Sequence, residues 1–76
     1  MSPALPVVSG QSAISAFAKL GYEVVRQRGS HVRLRHTARP ECRPLTIPLH
    51  KELDRGLLRS LIRTAGVSVE EFTRLL

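Results

Sequence analysis

Residues 19–36, KLGYEVVRQRGSHVRLRH, contain the change of period that decides the fold. Before Gly21 the apolar residues Ala13, Ile14, Phe17 and Ala18 recur at helical spacing, and a glycine at the end of such a run stops the helix in a left-handed conformation. From Tyr22 the period is two: Tyr22 and Val24 alternate with Glu23, then Val32 and Leu34 alternate with His31, Arg33 and Arg35. Two alternating runs joined by RQRGS make a β-hairpin. A two-residue turn would set Tyr22 and Val24 on the face opposite Val32 and Leu34. A three-residue loop, Gln27-Arg28-Gly29 with Gly29 left-handed in a bulge, sets all four on one face. The longer loop is therefore expected, and His31 then shares the outer face with Glu23, Val25, Arg33 and Arg35.

Upstream, residues 1–8 read as an N-terminal arm, because Pro3 and Pro6 forbid regular helix while Leu5, Val7 and Val8 can dock on the body. Ser9 offers the cap of the first helix. Downstream, HTARPEC is a loop, and RPLTIP is a third strand with Leu45 and Ile47 inward and prolines that suit a sheet edge. Asp54 caps a second helix in which Leu58, Leu61, Ile62 and Ala65 form the buried stripe and Gly66 the stop. On its opposite side Arg55, Arg59 and Arg63 recur every four residues as a basic ridge. In VSVEEFTRLL, Ser68 and Glu71 are spaced as a capping box and Val67 and Phe72 as its hydrophobic staple. Residues 9–76 thus read as a single α+β domain: helix, three antiparallel strands, helix and a short C-terminal helix. Helices on one face of such a sheet leave the other face, with His31 and its arginines, open to solvent.

At 76 residues a folded chain hides only about 60% of the surface its unfolded form exposes, so a deep closed cavity is not expected and ligands should meet an open face. Twelve lysines and arginines oppose six acidic residues, a net charge of +6. Arg26, Arg28, Arg33, Arg35, Arg39 and Arg43 crowd a stretch in which only Glu41 is acidic. Such a field draws polyanions, and the planar guanidinium fork favours phosphate or carboxylate. Cys42 stands alone, which excludes an internal disulfide and a cysteine-based zinc site and fits a reducing cytoplasm. The start MSPALPVVSG has no basic n-region and its apolar stretch is short and proline-broken, so neither a signal peptide nor a membrane span is expected.

No Walker loop, Rossmann glycine motif, paired-carboxylate arrangement or metal-ligand spacing is present, so neither metal nor cofactor is expected. Histidine, with an ordinary pKa of about 6.5, suits proton transfer near neutrality. His36 closes a strand and His50 ends a loop after Pro48; both read as inert. His31 among cationic side chains suggests phosphodiester chemistry on RNA. A base there removes the proton of a ribose 2′-hydroxyl so that this oxygen attacks the adjacent phosphorus, while arginines neutralise the charge that develops on phosphate. The residues leave open the alternative that Gly29 and Ser30 serve the turn and His31 is only an exposed strand residue.

KLGYEVVRQRGSHVRLRH followed by LTIPLHKELDRGLLRSLIRTAGVSVEEF resembles the HicA toxins, also called YcfA-like, of bacterial toxin–antitoxin pairs. The resemblance runs from Leu5 onward and is carried by the glycine and aromatic after the first helix, Gly29-Ser30-His31, the Pro48-Leu49-His50 step, Gly56, and Ala65-Gly66. It implies a fold like the double-stranded RNA-binding domain, a metal-independent endoribonuclease (mRNA interferase) acting on messenger RNA in the cytoplasm, and a HicB-like antitoxin that neutralises it. It also implies that His31 is the catalytic histidine. From their clustering on the open face, at the turn or on the exposed side of a helix, Arg28, Ser30, Arg33, Arg35, Arg55, Arg59 and Arg63 are expected to bind the RNA, with Gly29 and His50 as supporting positions without an assigned role. The rival from another class is a non-catalytic double-stranded RNA-binding module, to which DRGLLRS is a poorer match because such modules carry a lysine-rich start to the last helix. A small domain whose basic face meets an acidic protein is the third possibility.

Overall fold

The structure is a computed structural model that describes residues 4–76; residues 1–3 of the expected arm lie outside it. Helix α1 (Gly10–Lys19) is capped by Ser9, whose hydroxyl accepts the Ser12 N–H at 3.1 Å. Strands β1 (Tyr22–Arg28), β2 (His31–His36) and β3 (Leu45–Pro48) form one antiparallel sheet in the order β1-β2-β3, so that β2 is central and β3 lies at an edge. Helix α2 (Arg55–Ala65) starts where the Asp54 carboxylate accepts the Leu57 N–H at 3.1 Å and stops at left-handed Gly66. Helix α3 (Val69–Arg74) carries the reciprocal Ser68–Glu71 cap. The α+β order is the one the periodicity predicts.

The core lies between the inner face of the sheet and the helices. Tyr22, Val32, Leu34, Leu45 and Ile47 meet Phe17 of α1, Leu58, Leu61 and Ile62 of α2, and Phe72 of α3. On α1 the buried residues are Ala13, Ala16 and Phe17, with Ile14 partly covered, whereas Ala18, expected in the stripe, is exposed. At 3.6 residues per turn Ala13 falls between Ala16 and Phe17 on one side while Ala18 turns away.

The chain before α1 is tied to the far end of the sheet. Leu5 and Val8 are buried and Val7 is exposed; the Val8 carbonyl accepts the Leu53 N–H at 2.8 Å, and Gly10 donates its N–H to the His50 carbonyl at 2.9 Å. A β-carbon on residue 10 would collide with the Pro48 carbonyl oxygen, so only glycine allows this approach. The Pro48-Leu49-His50 step is therefore the dock for the start of α1.

The hairpin departs from the expected register. Arg28 pairs with His31 across a two-residue turn, Gly29-Ser30, and the extra residue sits in mid-strand: Arg26 pairs with Arg33 and Val24 with Leu34, leaving Val25 as a β-bulge. The requirement that Tyr22 and Val24 share the face of Val32 and Leu34 is met, but by a bulge inside β1 rather than by a three-residue loop. Gly29 is left-handed as expected, with φ 60°, and no non-glycine residue among those described has positive φ. That combination, glycine first and an ordinary residue second, fits a type II′ turn, whose twist matches a hairpin. Beyond the bulge the alternation of β1 is inverted, so Arg26 and Arg28 join the outer face and Val25 does not belong to the regular row.

Tyr22 is buried against Phe17 and His36, with ring centroids 6.0 and 5.1 Å away, and its hydroxyl has no hydrogen-bond partner among the described groups. Burial, and after it the neighbouring Cys42 thiol, push its phenol above the ordinary value of 10.0.

Candidate functional site

His31 opens the central strand, and the sheet register fixes what surrounds it. Across β1 and β3 its partners are Arg28 and Pro48. The turn before it is pinned from the other side, because Leu49 donates its N–H to the Ser30 carbonyl at 2.7 Å. Two residues along β2, on the same face, Arg33 stands between Arg26 of β1 and Thr46 of β3. Further along, Arg35 stands opposite Glu23. The outer face thus carries parallel rows of side chains, Arg28–His31–Pro48 and Arg26–Arg33–Thr46, spaced about 7 Å apart by two residues of extended chain. Side chains of both rows line a shallow depression of about 180 Å³, made by Arg26, Arg28, His31, Arg33 and Thr46.

Of the residues that the sequence nominates, the structure brings His31, Arg28 and Arg33 together in this depression. Arg35 shares the face but stands outside it, and Ser30 and Gly29 form the exposed turn at its end. Arg55, Arg59 and Arg63 are exposed on α2, in the helical layer that covers the opposite face of the sheet, and they do not line the depression. His50 is exposed and also stands outside it; the contact it does make is through its backbone carbonyl to Gly10. Arg26 and Thr46 are the lining residues that sequence reasoning missed. One signal for Arg26 was present. Tyr22, Val24, Arg26 and Arg28 have the same parity, and a regular strand cannot set the first two on the inner face and the last two on the outer.

No acidic residue lines the depression, and Arg26 faces Arg33 directly across the ladder. Like charges in that position repel unless an anion lies between them. The ensemble can therefore hold an oxyanion by bidentate guanidinium contacts and present an imidazole beside it.

His36, at the other end of β2, is built differently. Its Nδ1 accepts the N–H groups of Ala38 at 3.1 Å and Arg39 at 3.0 Å, which places the ring proton on Nε2, 3.0 Å from the Leu20 carbonyl that accepts it. Its ring splices the loop after β2 to the end of α1. A larger hollow, about 370 Å³, lies between Val7, α1 and the C-terminal residues; Lys19 is its one ionisable lining group, and that ammonium donates to the Leu75 carbonyl at 2.8 Å. Among the described residues no three His, Cys, Asp or Glu side chains are grouped to hold a metal ion, and no helix is long and apolar enough to cross a membrane.

No curated protein matches the chain. The family model described as HicA toxin of bacterial toxin-antitoxin matches residues 10–67, from the first residue of α1 through the end of α2, and so takes in the whole sheet with His31. The chain belongs to the HicA toxin family of bacterial toxin–antitoxin systems.

Proposed function

We propose that this toxin is an endoribonuclease, an mRNA interferase, that cuts RNA by His31-assisted attack of the 2′-hydroxyl. The observation that carries this reading is the exposure of His31 on the central strand, one residue past the turn, between arginines of two strands and with no acidic side chain among the residues lining the depression. His31 takes the 2′-hydroxyl proton, the 2′-oxygen bonds to phosphorus, and the bond from phosphorus to the 5′-oxygen breaks; water supplies the proton to the leaving 5′-oxygen. Arg28 and Arg33 neutralise the charge gathering on the phosphate oxygens. The products are a 2′,3′-cyclic phosphate and a 5′-hydroxyl. Because side chains supply both the base and the counter-charge, this route requires no metal, and DNA, which lacks the attacking hydroxyl, is not a substrate.

Arg35 and the α2 ridge, Arg55, Arg59 and Arg63, serve as outlying phosphate contacts for the same strand, and Ser30 with Gly29 shapes the edge of the site. Membership of a toxin–antitoxin family implies an antitoxin. We take it to be HicB-like, with an acidic surface that covers the arginine rows and His31 in the cytoplasm, where messenger RNA is met. The test is incubation of the purified protein with a defined RNA in the presence of chelator, with the product ends identified. Cyclic phosphate and 5′-hydroxyl ends that vanish in His31→Ala support the proposal. Tight binding of double-stranded RNA without cleavage favours a binding module instead.

A further inference from the structure

We infer that Arg26, Arg33 and Thr46 form the seat for the phosphodiester that is cut, and that the Val25 bulge puts its completing residue, Arg26, on the correct face. The inference rests on the nuclease reading for the word "cut"; the seat itself rests on geometry. Burying Tyr22 explains why β1 needs a bulge. It does not explain why the residues that the bulge turns outward are arginines, where neutral polar residues would lie on the sheet without repulsion. Three guanidinium groups converge on one depression: Arg26 directly opposite Arg33, and Arg28 in the next row. Two local irregularities, a broken ladder at Val25 and a like-charge cross-strand pair at Arg26, fall on consecutive residues. A bound phosphate resolves the second, because its oxygens accept from Arg26 and Arg33 on opposite sides.

Thr46 completes the row from β3 with a short side chain, the one hydroxyl lining the depression. A carboxylate has two oxygens in one plane, whereas a phosphodiester presents non-bridging oxygens together with the flanking ribose, which matches donors arriving from three strands. A phosphate held on the Arg26–Arg33–Thr46 row lies one side-chain row from His31, the separation over which an imidazole can reach the 2′-hydroxyl of the attached ribose. Arg26 then contacts the reacting group, and in the step already described its guanidinium holds a non-bridging oxygen while the 2′-oxygen to phosphorus bond forms and the 5′-oxygen departs.

The experiment compares wild type, Arg26→Gln, Arg26→Lys, Thr46→Val and, as a control in the exposed loop, Arg43→Gln. Each is measured for affinity to a 2′-O-methyl RNA oligonucleotide, which cannot react, over a salt series, and for cleavage of the matching 2′-hydroxyl strand. Arg26→Gln should flatten the log–log salt slope by nearly one unit and reduce cleavage on the order of 10²-fold. Arg26→Lys should restore the slope without restoring the rate, since an ammonium carries the charge but not the fork. Thr46→Val should lower cleavage less, and Arg43→Gln should leave cleavage unchanged. Arg26→Gln with wild-type slope and wild-type cleavage overturns the seat while leaving a nuclease. A wild-type protein that binds the 2′-O-methyl strand, loses slope in Arg26→Gln and cleaves nothing retains the seat and overturns the nuclease reading.

Discussion

Strand β2 begins and ends in histidine, and the two rings have opposite surroundings. His31 is exposed among arginines, beside a turn whose Gly29 and Ser30 carbonyls accept from the Gln27 side-chain amide and the Leu49 N–H. His36 is half covered, stacked edge-on to Tyr22, and bonded at both ring nitrogens. A histidine whose two nitrogens are committed to backbone groups works as a fastener; one with a free face beside cations is available for proton transfer. The residue type says nothing about which role applies, and position along the strand decides it.

The sharpest way to break this comparison is to remove each ring in turn. His31→Ala should reduce RNA cleavage by about 10²–10⁴-fold, the usual contribution of a general base, while the free energy of unfolding from denaturant titration changes by less than about 0.5 kcal/mol. Wild-type cleavage by this variant would end the catalytic assignment. His36→Ala should behave in the reverse sense. It removes two exposed loop bonds that water can replace and a part-buried bond to the Leu20 carbonyl, so stability should drop by about 1 kcal/mol while the folded fraction still cuts RNA. If His36→Ala were as stable as wild type, the ring would not be the fastener described.

Next to His36, Tyr22 offers an effect of opposite sign. Its buried hydroxyl lacks a partner, so Tyr22→Phe should stabilise the fold by about 1 kcal/mol in thermal or urea melts. The pH dependence follows from its raised phenol. The folded protein holds that proton more tightly than the unfolded chain does. Stability is therefore unaffected below the ordinary value of 10.0 and declines as pH rises above it, and the phenylalanine variant should lack that share of the alkaline loss. The smallest effect concerns the two basic surfaces. With a strand just long enough to cover the depression, Arg33→Gln should flatten the salt slope by nearly one unit, and Arg59→Gln on α2 should leave it unchanged until the strand is lengthened. Equal losses with the short strand would mean that the ridge and the sheet face act as one surface.

Much of this molecule was legible in its sequence. Each helix cap is a local contact between residues three apart, so Ser9, Asp54 and Ser68 declare themselves, as do Gly21 and Gly66 at helix ends. The placement of His31 on the exposed face also followed from the alternation along the strand. The hairpin register was not legible in the same way. A bulge at the turn and a bulge at Val25 both bring Tyr22 and Val24 to the face of Leu34, and hydrophobic alternation cannot separate them. Only the second puts Arg26 and Arg28 outward, so the misplaced register hid Arg26 from the candidate site. The dock at Gly10 was invisible for another reason: it depends on the Pro48 carbonyl, a contact between distant parts of the chain that no local pattern encodes.

That dock has a bearing on the order of assembly. The β1–β2 hairpin closes across two residues, whereas the bonds from Val8 to Leu53 and from Gly10 to His50 close spans of about forty residues, at a larger entropic penalty. The arginine face is thus the part of the fold that local contacts can assemble first, and the arm before α1, made ahead of the residues it docks on, has to wait for them before it finds its place. In hydrogen exchange the amides of β2 should accordingly outlast those of Gly10 and Leu53, and a toxin that is loosening should shed its arm while its hairpin remains paired.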